Sequence, residues 1–328
     1  MLRSKDIAEM VGVSRQAVTA VLNNSRPNCV SKEKREAILR IASECHYHPN
    51  QAARALKTGT SNIIGVVMPP WENPYIAELC MAVQQALAAK NYTAFFAIDN
   101  NYNPVPGNLE QLLSLPVAGM ISVAASLLPD DMNIPVVSYF HDDPRFDSVC
   151  PDAELNSRIC VEYLKECGHR KIAYLGRKGD LRFKFLVAEA QRCGMEFHER
   201  WQIEINLESD KSDKDAFAEL LKCNQNQDLP TALIVHHDTI ALDVIRSIYE
   251  HGCKVPEDFS VIGHDNIPCC QSMIPALTTM SYGTPADVAK PMVELLIKRI
   301  KNPALPRRKV VLKPELIKRE SVWNFATT

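Results

Sequence analysis

The sequence has no apolar run near the roughly 18 residues that span a bilayer, and its first residues lack the apolar core of a secretory signal peptide. These absences argue against a membrane-spanning or exported protein and predict a cytoplasmic one. Its 11 cysteines include no Cys-x-x-Cys pair, which argues against a zinc knuckle or a thioredoxin-like centre. Neither a Gly-x-Ser-x-Gly motif nor a Walker-type phosphate loop is present, so acyl and phosphoryl transfer find no support.

Net charge is also scarce, and its distribution is uneven. The 328 residues carry a formal charge of −2. The first 60 residues contain ten basic and five acidic side chains, whereas the remainder contains 27 basic and 34 acidic ones. A small basic head of charge +5 and an acidic body of charge −7 are the pattern expected when only one end meets a polyanion.

The basic head has the signals of three short helices. Ser4 is a predicted N-cap for a first helix that Gly12 ends, Ser14 for a second that reaches about Asn23, and Ser31 for a third. Two helices joined by a tight glycine-containing turn within about 20 residues predict a helix-turn-helix.

The second helix has one apolar and one polar side. On a helical wheel, Arg15, Gln16, Thr19 and Ala20 fall opposite the apolar positions. Arginine can grip guanine and glutamine can grip adenine in the major groove, while small side chains permit close approach to a thymine methyl. A solvated helix face is the alternative interpretation.

A short segment follows the head. Pro49 breaks the third helix, and Asn50 is a predicted N-cap for residues 51–57. So short a helix is marginal by itself, and Leu56 has little to pack on. A hinge that folds on DNA would place Leu56 as a wedge in the minor groove, with Arg54 and Lys57 near the backbone. An ordinary linker is the alternative.

The motifs of this region resemble the DNA-binding head and hinge of the lactose repressor/galactose repressor family of bacterial transcription regulators. They are Asp6-Ile7-Ala8, Gly12-Val13-Ser14, Ala17-Val18-Thr19, Val21-Leu22-Asn23, Tyr47-His48-Pro49-Asn50 and Ala53-Arg54-Ala55-Leu56. The resemblance implies that Arg15 and Gln16 are the main base-reading residues. It implies a DNA-contacting set of Ser14, Arg15, Gln16, Thr19, Ala20, Asn23, Asn50, Ala53, Arg54, Leu56 and Lys57. Ala20 replaces the family's usual arginine, so the operator is not copied from a relative.

From Asn62 onward, short apolar runs alternate with helical periodicity. The runs are 63–68, 93–98, 120–123, 136–139, 172–175, 232–235 and 261–263. This alternation predicts parallel sheets covered on both faces, and about 265 residues suffice for two such lobes. Ligands of open α/β sheets collect beyond the carboxyl ends of the strands, so a cleft between lobes is the expected site.

The body also resembles the effector-binding core of the same family, which is similar to periplasmic sugar-binding proteins. The motifs include Asn73-Pro74-Tyr75, Gly168-His169-Arg170, Val255-Pro256-Glu257-Asp258 and Leu277-Thr278-Thr279. The whole prediction is an all-α helix-turn-helix head (1–48), a hinge (49–61) and an α/β periplasmic-binding-protein-like body (62–328). The body would have two doubly wound lobes, about 62–158 with 284–316 and about 159–283 with 317–328.

The resemblance also supplies predicted effector contacts. Arg182 stands where the family places an arginine that forks onto ligand oxygens, and Asp238 and Asp265 match ligand-binding aspartates, while His237 replaces an asparagine. Trp71 and Tyr75 follow the first strand and are candidates for stacking on a sugar face; cleft wall or core packing is the alternative.

Some residues of the body also fit other classes of function. A metal- or redox-responsive regulator would use His264, Cys269 and Cys270. A metal-dependent hydrolase would use His236-His237-Asp238 and His264-Asp265, with Cys269-Cys270 nearby. A soluble sugar-binding protein without a DNA role is disfavoured by the head. The sequence therefore predicts no enzyme and no cofactor, but a transcription regulator, most readily a repressor, that binds a palindromic operator and a small polar effector. It also predicts a dimer, because no leucine heptads follow Val322.

Overall fold

The computed structural model describes residues 3–22, 29–45, 47, 61–69, 73–98, 107–205, 216–224 and 228–326. The chain divides into a unit of residues 1–62 and a unit of residues 63–328, here called the head and the body. No helix in the described ranges combines the length and apolarity needed to cross a membrane.

The described part of the head contains three helices around one small core. They are α1 (Ser4–Val11), α2 (Arg15–Leu22) and α3 (Lys32–Glu44). Gly12 takes the left-handed conformation (φ 64°) that ends α1 and lets α2 begin three residues later. The predicted apolar faces meet in the core, whose buried members are Ile7, Ala8, Val18, Val21, Ile38 and Ala42.

Two of the three predicted caps are present. The Oγ atoms of Ser14 and Ser31 accept from the amides of Ala17 (3.1 Å) and Lys34 (3.4 Å). The prediction that Ser4 caps α1 is wrong. Ser4 is the first residue of the helix and is buried, and its Oγ instead accepts from Arg15 Nε at 3.1 Å.

The first lobe of the body is built on a six-stranded parallel sheet. Its strands are β1 (Ile63–Met68), β2 (Thr93–Ile98), β3 (Val117–Ser122), β4 (Val136–Tyr139), β5 (Asp147–Pro151) and β11 (Lys309–Leu312). Their order in the sheet is β11-β5-β4-β3-β1-β2. The central strand β1 is apolar and almost wholly buried, as a strand covered on both faces requires.

The second lobe repeats this plan. Its strands are β6 (Ile172–Leu175), β7 (Gln202–Ile203), β8 (Ala232–Val235), β9 (Ser260–His264), β10 (Thr278–Ser281) and β12 (Glu315–Ile317). Their order is β12-β10-β9-β8-β6-β7, and only β12 runs antiparallel to its neighbour.

Seven helices of the described body cover these sheets. They are α4 (Pro74–Ala88), α5 (Asn108–Leu113), α6 (Ala153–Glu166), α7 (Leu181–Cys193), α8 (Ala216–Cys223), α9 (Asp238–Glu250) and α10 (Pro285–Lys301). The helices α4 and α10 contact each other in the first lobe, and α6 contacts α7 in the second. The body thus has the predicted architecture of two α/β lobes.

The chain passes between the lobes three times, after β5, after β10 and between β11 and β12. Because these strands run parallel within each sheet, their carboxyl ends gather on one edge of each lobe. The segments that follow β1, β4, β6, β8 and β9 therefore carry the side chains of the candidate cleft.

Candidate functional site

The exposed side of α2 is the first candidate surface. Ser14, Arg15, Gln16 and Thr19 are exposed, Ala20 is half-buried, and Val18 on the opposite side is fully buried. Arg15 Nε also donates to Ser4 Oγ at the start of α1. This hydrogen bond holds the Arg15 side chain where the two helices meet. The helix therefore presents a planar cation and an amide side by side.

Neighbouring polar contacts fix the turn beneath this surface. Thr19 Oγ1 donates to the carbonyl of Arg15 at 3.0 Å, and Lys34 Nζ donates to the carbonyl of Gly12 at 3.1 Å. Lys34 of α3 thus holds the end of α1 in place.

Several predicted site residues lie outside the described residues. They are Asn23, Asn50, Ala53, Arg54, Leu56, Lys57 and Trp71. Their predicted roles stay predictions.

The second candidate is the cleft of the body, where one hydrogen bond joins the two lobes. Asn73 caps α4 by accepting from the amide of Tyr75 (3.0 Å), and its Nδ2 donates to Asp265 Oδ2 across the cleft at 2.7 Å. Burial raises the pKa of the Asp265 carboxyl to about 7, although the bond from Asn73 opposes the rise. Asp265 also has a left-handed backbone (φ 104°), which is rare for a side chain other than glycine.

Aromatic side chains lie beside this bond. Tyr75 and Tyr139 are buried with their hydroxyls 3.4 Å apart, and Tyr139 stacks on Phe140 with ring centroids separated by 4.0 Å. The charge of Asp265 acts on both tyrosines, which places them near it. Tyr75 is thus part of the cleft wall, and its predicted stacking on a sugar stays a prediction.

Arg182 lies at the start of α7 and is held by its own lobe. Its Nε and Nη2 both donate to Asp180 Oδ2, at 3.0 and 2.8 Å, and its Nη1 donates to the carbonyl of His236 at 2.9 Å. Burial alone would raise the pKa of Asp180, but the Arg182 charge and the His236 contact outweigh it and hold that pKa well below its usual range. The two residues form a largely buried ion pair, with side chains 18% and 14% exposed.

The three histidines near Arg182 have lowered pKa values, which favours their neutral rings at pH 7. Burial, together with the Arg182 charge, lowers the pKa of His236. The same two causes lower the pKa values of His237 and His264 far below their usual value. His237 Nδ1 lies 2.6 Å from Thr239 Oγ1 at the start of α9. Neutral rings supply one donor and one acceptor each and no charge.

His264 is tied into a buried polar group. Its Nδ1 is 2.8 Å from the carbonyl of Val235, to which it donates, and its Nε2 is 3.0 Å from the side-chain amide of Asn156. A neutral ring that donates at Nδ1 must accept at Nε2, so the Asn156 amide is oriented with its NH₂ toward the ring. Its oxygen is then left for a donor, and Tyr282 Oη is a nearby buried group without a partner in the described residues.

Asp238 is fully buried, and its contacts are internal. Its oxygens accept from Thr279 Oγ1 at 2.6 Å and from the amide of Ile267 at 3.0 Å. A Cβ added at Gly263 would collide with Asp238 Oδ1, so the glycine makes room for this carboxylate. These bonds hold the loop after β9, and the contact of Asp238 with an effector stays a prediction.

The described residues give no support to the metal alternative. They contain no group of three or more His, Cys, Asp or Glu placed to hold a metal ion. Both nitrogens of His264 have protein partners, Cys269 is exposed and Cys270 is buried.

The sequence does not predict four residues of the cleft as site residues. They are Asn73, Asn156, Asp180 and Tyr282. A signal that could have found Asp180 is its position just before a helical pattern, where an aspartate is a common N-cap, and its Oδ1 does accept from the amide of Arg182 at 2.9 Å.

Each of the two units contains a region that matches a known protein family. Residues 5–50 match the model of the lacI family of bacterial regulatory proteins, and residues 161–322 match a periplasmic binding protein-like domain. The HTH-type transcriptional repressor PurR of Aliivibrio fischeri is 30% identical over 339 residues, which cover 99% of each chain. The ribose operon repressor of Haemophilus influenzae is 28% identical over 99% of this chain and 100% of its own.

Solved structures show the same fold. A lac repressor dimer bound to operator and the anti-inducer ONPF superimposes with a TM-score of 0.83 at 24% identity, over 98% of this chain and 99% of that one. The complex of the regulator CelR with cellobiose has a TM-score of 0.69 at 23% identity, over 98% of this chain and 100% of that one. With its helix-turn-helix head, its two-lobed body and these relatives, the chain belongs to the lacI family of bacterial regulatory proteins.

Proposed function

We propose that this protein is a transcriptional repressor that binds a two-fold symmetric operator as a dimer and responds to a small, polar, sugar-like effector in its cleft. The observation that carries the proposal is the exposed Arg15 and Gln16 pair on α2, in a head that matches the lacI family. The repressor role is supported by the relatives, which are named as repressors.

One head presents one α2 and reads one half-site, so recognition of a palindrome requires two copies. The body exposes large apolar side chains that are candidates for the surface between two copies. Ile274 is 91% exposed and lines a shallow depression with Tyr249, and Met81 on α4 is 62% exposed.

The cleft is suited to an effector that changes the relation between the lobes. The bond between Asn73 and Asp265 is made in the described conformation. A ligand whose hydroxyls replaced either partner would alter the balance between lobe arrangements. It acts as an effector only if the arrangements bind it unequally.

Selection of bound duplexes from a random DNA pool tests the proposal. The full chain should recover an inverted repeat with two similar half-sites. Arg15→Lys keeps the charge but loses the planar fork, so it should change the preferred base at one position of each half-site. The matched control is Lys5→Ala on α1, whose exposed side chain pairs with the exposed Glu9; it should leave the recovered sequence unchanged.

Recovery of unrelated sequences, or of the same repeat by Arg15→Lys and by an Arg15→Ala/Gln16→Ala double variant, would contradict DNA reading by α2. Recovery of single half-sites without an inverted partner would contradict the dimer.

A further inference from the structure

The Arg182 guanidinium has little capacity left for a ligand. It has five N–H bonds, and contacts within its own lobe use four of them. Two go to Asp180 Oδ2 and one to the carbonyl of His236. The fourth goes to a ring nitrogen of His236, since in either neutral tautomer one nitrogen within 3.3 Å of Nη2 is an acceptor.

The remaining N–H is on Nη1. A carboxylate or phosphate group is best bound by two parallel N–H bonds from one guanidinium, and the Nε–Nη2 edge that could supply them is already occupied by Asp180 Oδ2. A single hydroxyl oxygen needs only one N–H. The free capacity of Arg182 therefore matches a neutral oxygen acceptor rather than an anion.

The charges around the pair lead to the same conclusion. The charges of Asp180 and Arg182 cancel, and the lowered pKa values of His236, His237 and His264 favour their neutral rings at pH 7. Asp265, which also feels the charge of Arg182, adds negative charge whenever it ionises. Arg177, another cation that acts on His236, is itself engaged. An anion entering this region would lose its hydration without finding an uncommitted cation among these groups.

Uncharged hydroxyl groups suit the same surroundings. The hydroxyl of Tyr282, which is buried near Asn156, and the ring of His237 are polar groups without a fixed charge, and each can both donate and accept. A hydroxyl does both, and several hydroxyls on one small molecule can serve several of these groups at once.

We propose that Asp180 is a specificity-determining residue: by holding the Arg182 guanidinium, it makes the cleft accept uncharged polyhydroxylated effectors and reject anionic ones such as sugar acids and sugar phosphates. The inference rests on the proposed function insofar as it takes the cleft as the effector site. Asp180 acts through Arg182 and needs no contact with the effector.

The variant Asp180→Asn tests this directly. The asparagine keeps an oxygen that can cap α7, as Oδ1 does now, but it removes the charge that competes for Arg182. Asp180→Ser is a second variant that caps a helix and cannot reach the guanidinium in the same way. The control is Arg182→Gln, alone and combined with Asp180→Asn.

The probe is inorganic phosphate, and the readout is the thermal unfolding midpoint of the full chain at constant ionic strength. The wild type should show no saturable phosphate effect that depends on Arg182. Asp180→Asn should gain one, with apparent phosphate affinity at least roughly ten-fold tighter than in the wild type, and the added Arg182→Gln change should abolish it. Comparison with Arg182→Gln removes any contribution from phosphate bound to the basic head.

Two results would overturn the proposal. One is saturable phosphate binding by the wild type that Arg182→Gln removes. The other is the absence of any gain in both Asp180→Asn and Asp180→Ser when both unfold cooperatively. Neither depends on DNA, so a failure here is distinct from a failure of the operator selection.

Discussion

At the scale of single residues, Asp265 carries the clearest pH signature of the cleft. Burial raises its pKa to about 7 in the folded protein, above the ordinary aspartate value of 3.8. Between these two values the folded state binds more protons than the unfolded state, so the free energy of unfolding falls as the pH rises through this window.

Asp265→Asn should remove this dependence while keeping an acceptor for Asn73. We expect the variant to gain stability relative to the wild type as the pH rises from about 4 to 7, by on the order of 2 kcal/mol. Urea unfolding across this range measures the effect, with Asp131→Asn at an exposed position as the control. Parallel pH profiles of wild type and Asp265→Asn would refute it.

The cleft contains site residues that the sequence predicts and partners of those residues that it does not predict. Arg182 and Asp265 are placed by family motifs, and both lie in the cleft. Their partner Asp180 carries only the general signal of a helix cap, and Asn73 stands in a family motif. Neither signal reveals that Asp180 neutralises an arginine or that Asn73 bridges two lobes. Such pairings depend on which strand ends meet, and this is a property of the folded chain.

At the scale of elements, Gly263 lies near the end of β9, just before the loop that bears Asp265. An added Cβ would meet the Asp238 carboxylate, which cannot move without breaking its bonds to Thr279 and Ile267. Gly263→Ala should therefore destabilise the body by about 2–4 kcal/mol through overpacking and a disturbed buried carboxylate.

The matched control is Gly179→Ala, where an added Cβ meets nothing within 4 Å and the backbone is not left-handed. It should change the stability by less than about 0.5 kcal/mol. Equal denaturation midpoints for the two variants would show that Gly263 is not required for this packing.

The apolar pattern of the sequence predicts some strands and misses others. β1, β2, β4, β6 and β8 are apolar runs and have the predicted bounds. The apolar pattern does not predict β5, because this strand begins with Asp147 and ends with Pro151; Asp147 is buried there because Arg299 of α10 pairs with it at 2.8 Å. A charged residue thus enters a strand when a distant helix supplies its partner.

At the scale of the whole molecule, the near-zero net charge is a sum of a basic head and an acidic body. If only the head meets the phosphates, the salt dependence of operator binding depends on head residues alone. Removing one head cation that touches a phosphate should reduce the slope of log affinity against log salt by about one.

Lys57→Ala, at a predicted contact with the DNA backbone, and Lys301→Ala, at an exposed position of the body, make a matched pair for this measurement. We expect the slope to fall with Lys57→Ala and to stay unchanged with Lys301→Ala. An equal fall in both would show that the body also contacts DNA.

In the function proposed above, two copies of this chain read one symmetric operator. The most direct measurement is the binding stoichiometry and affinity of the full chain on the selected inverted repeat, compared with a duplex of equal length that holds one half-site. The account predicts two chains per inverted repeat and an affinity at least about ten-fold tighter than for the single half-site. One chain per duplex, with equal affinity for the two, would contradict it.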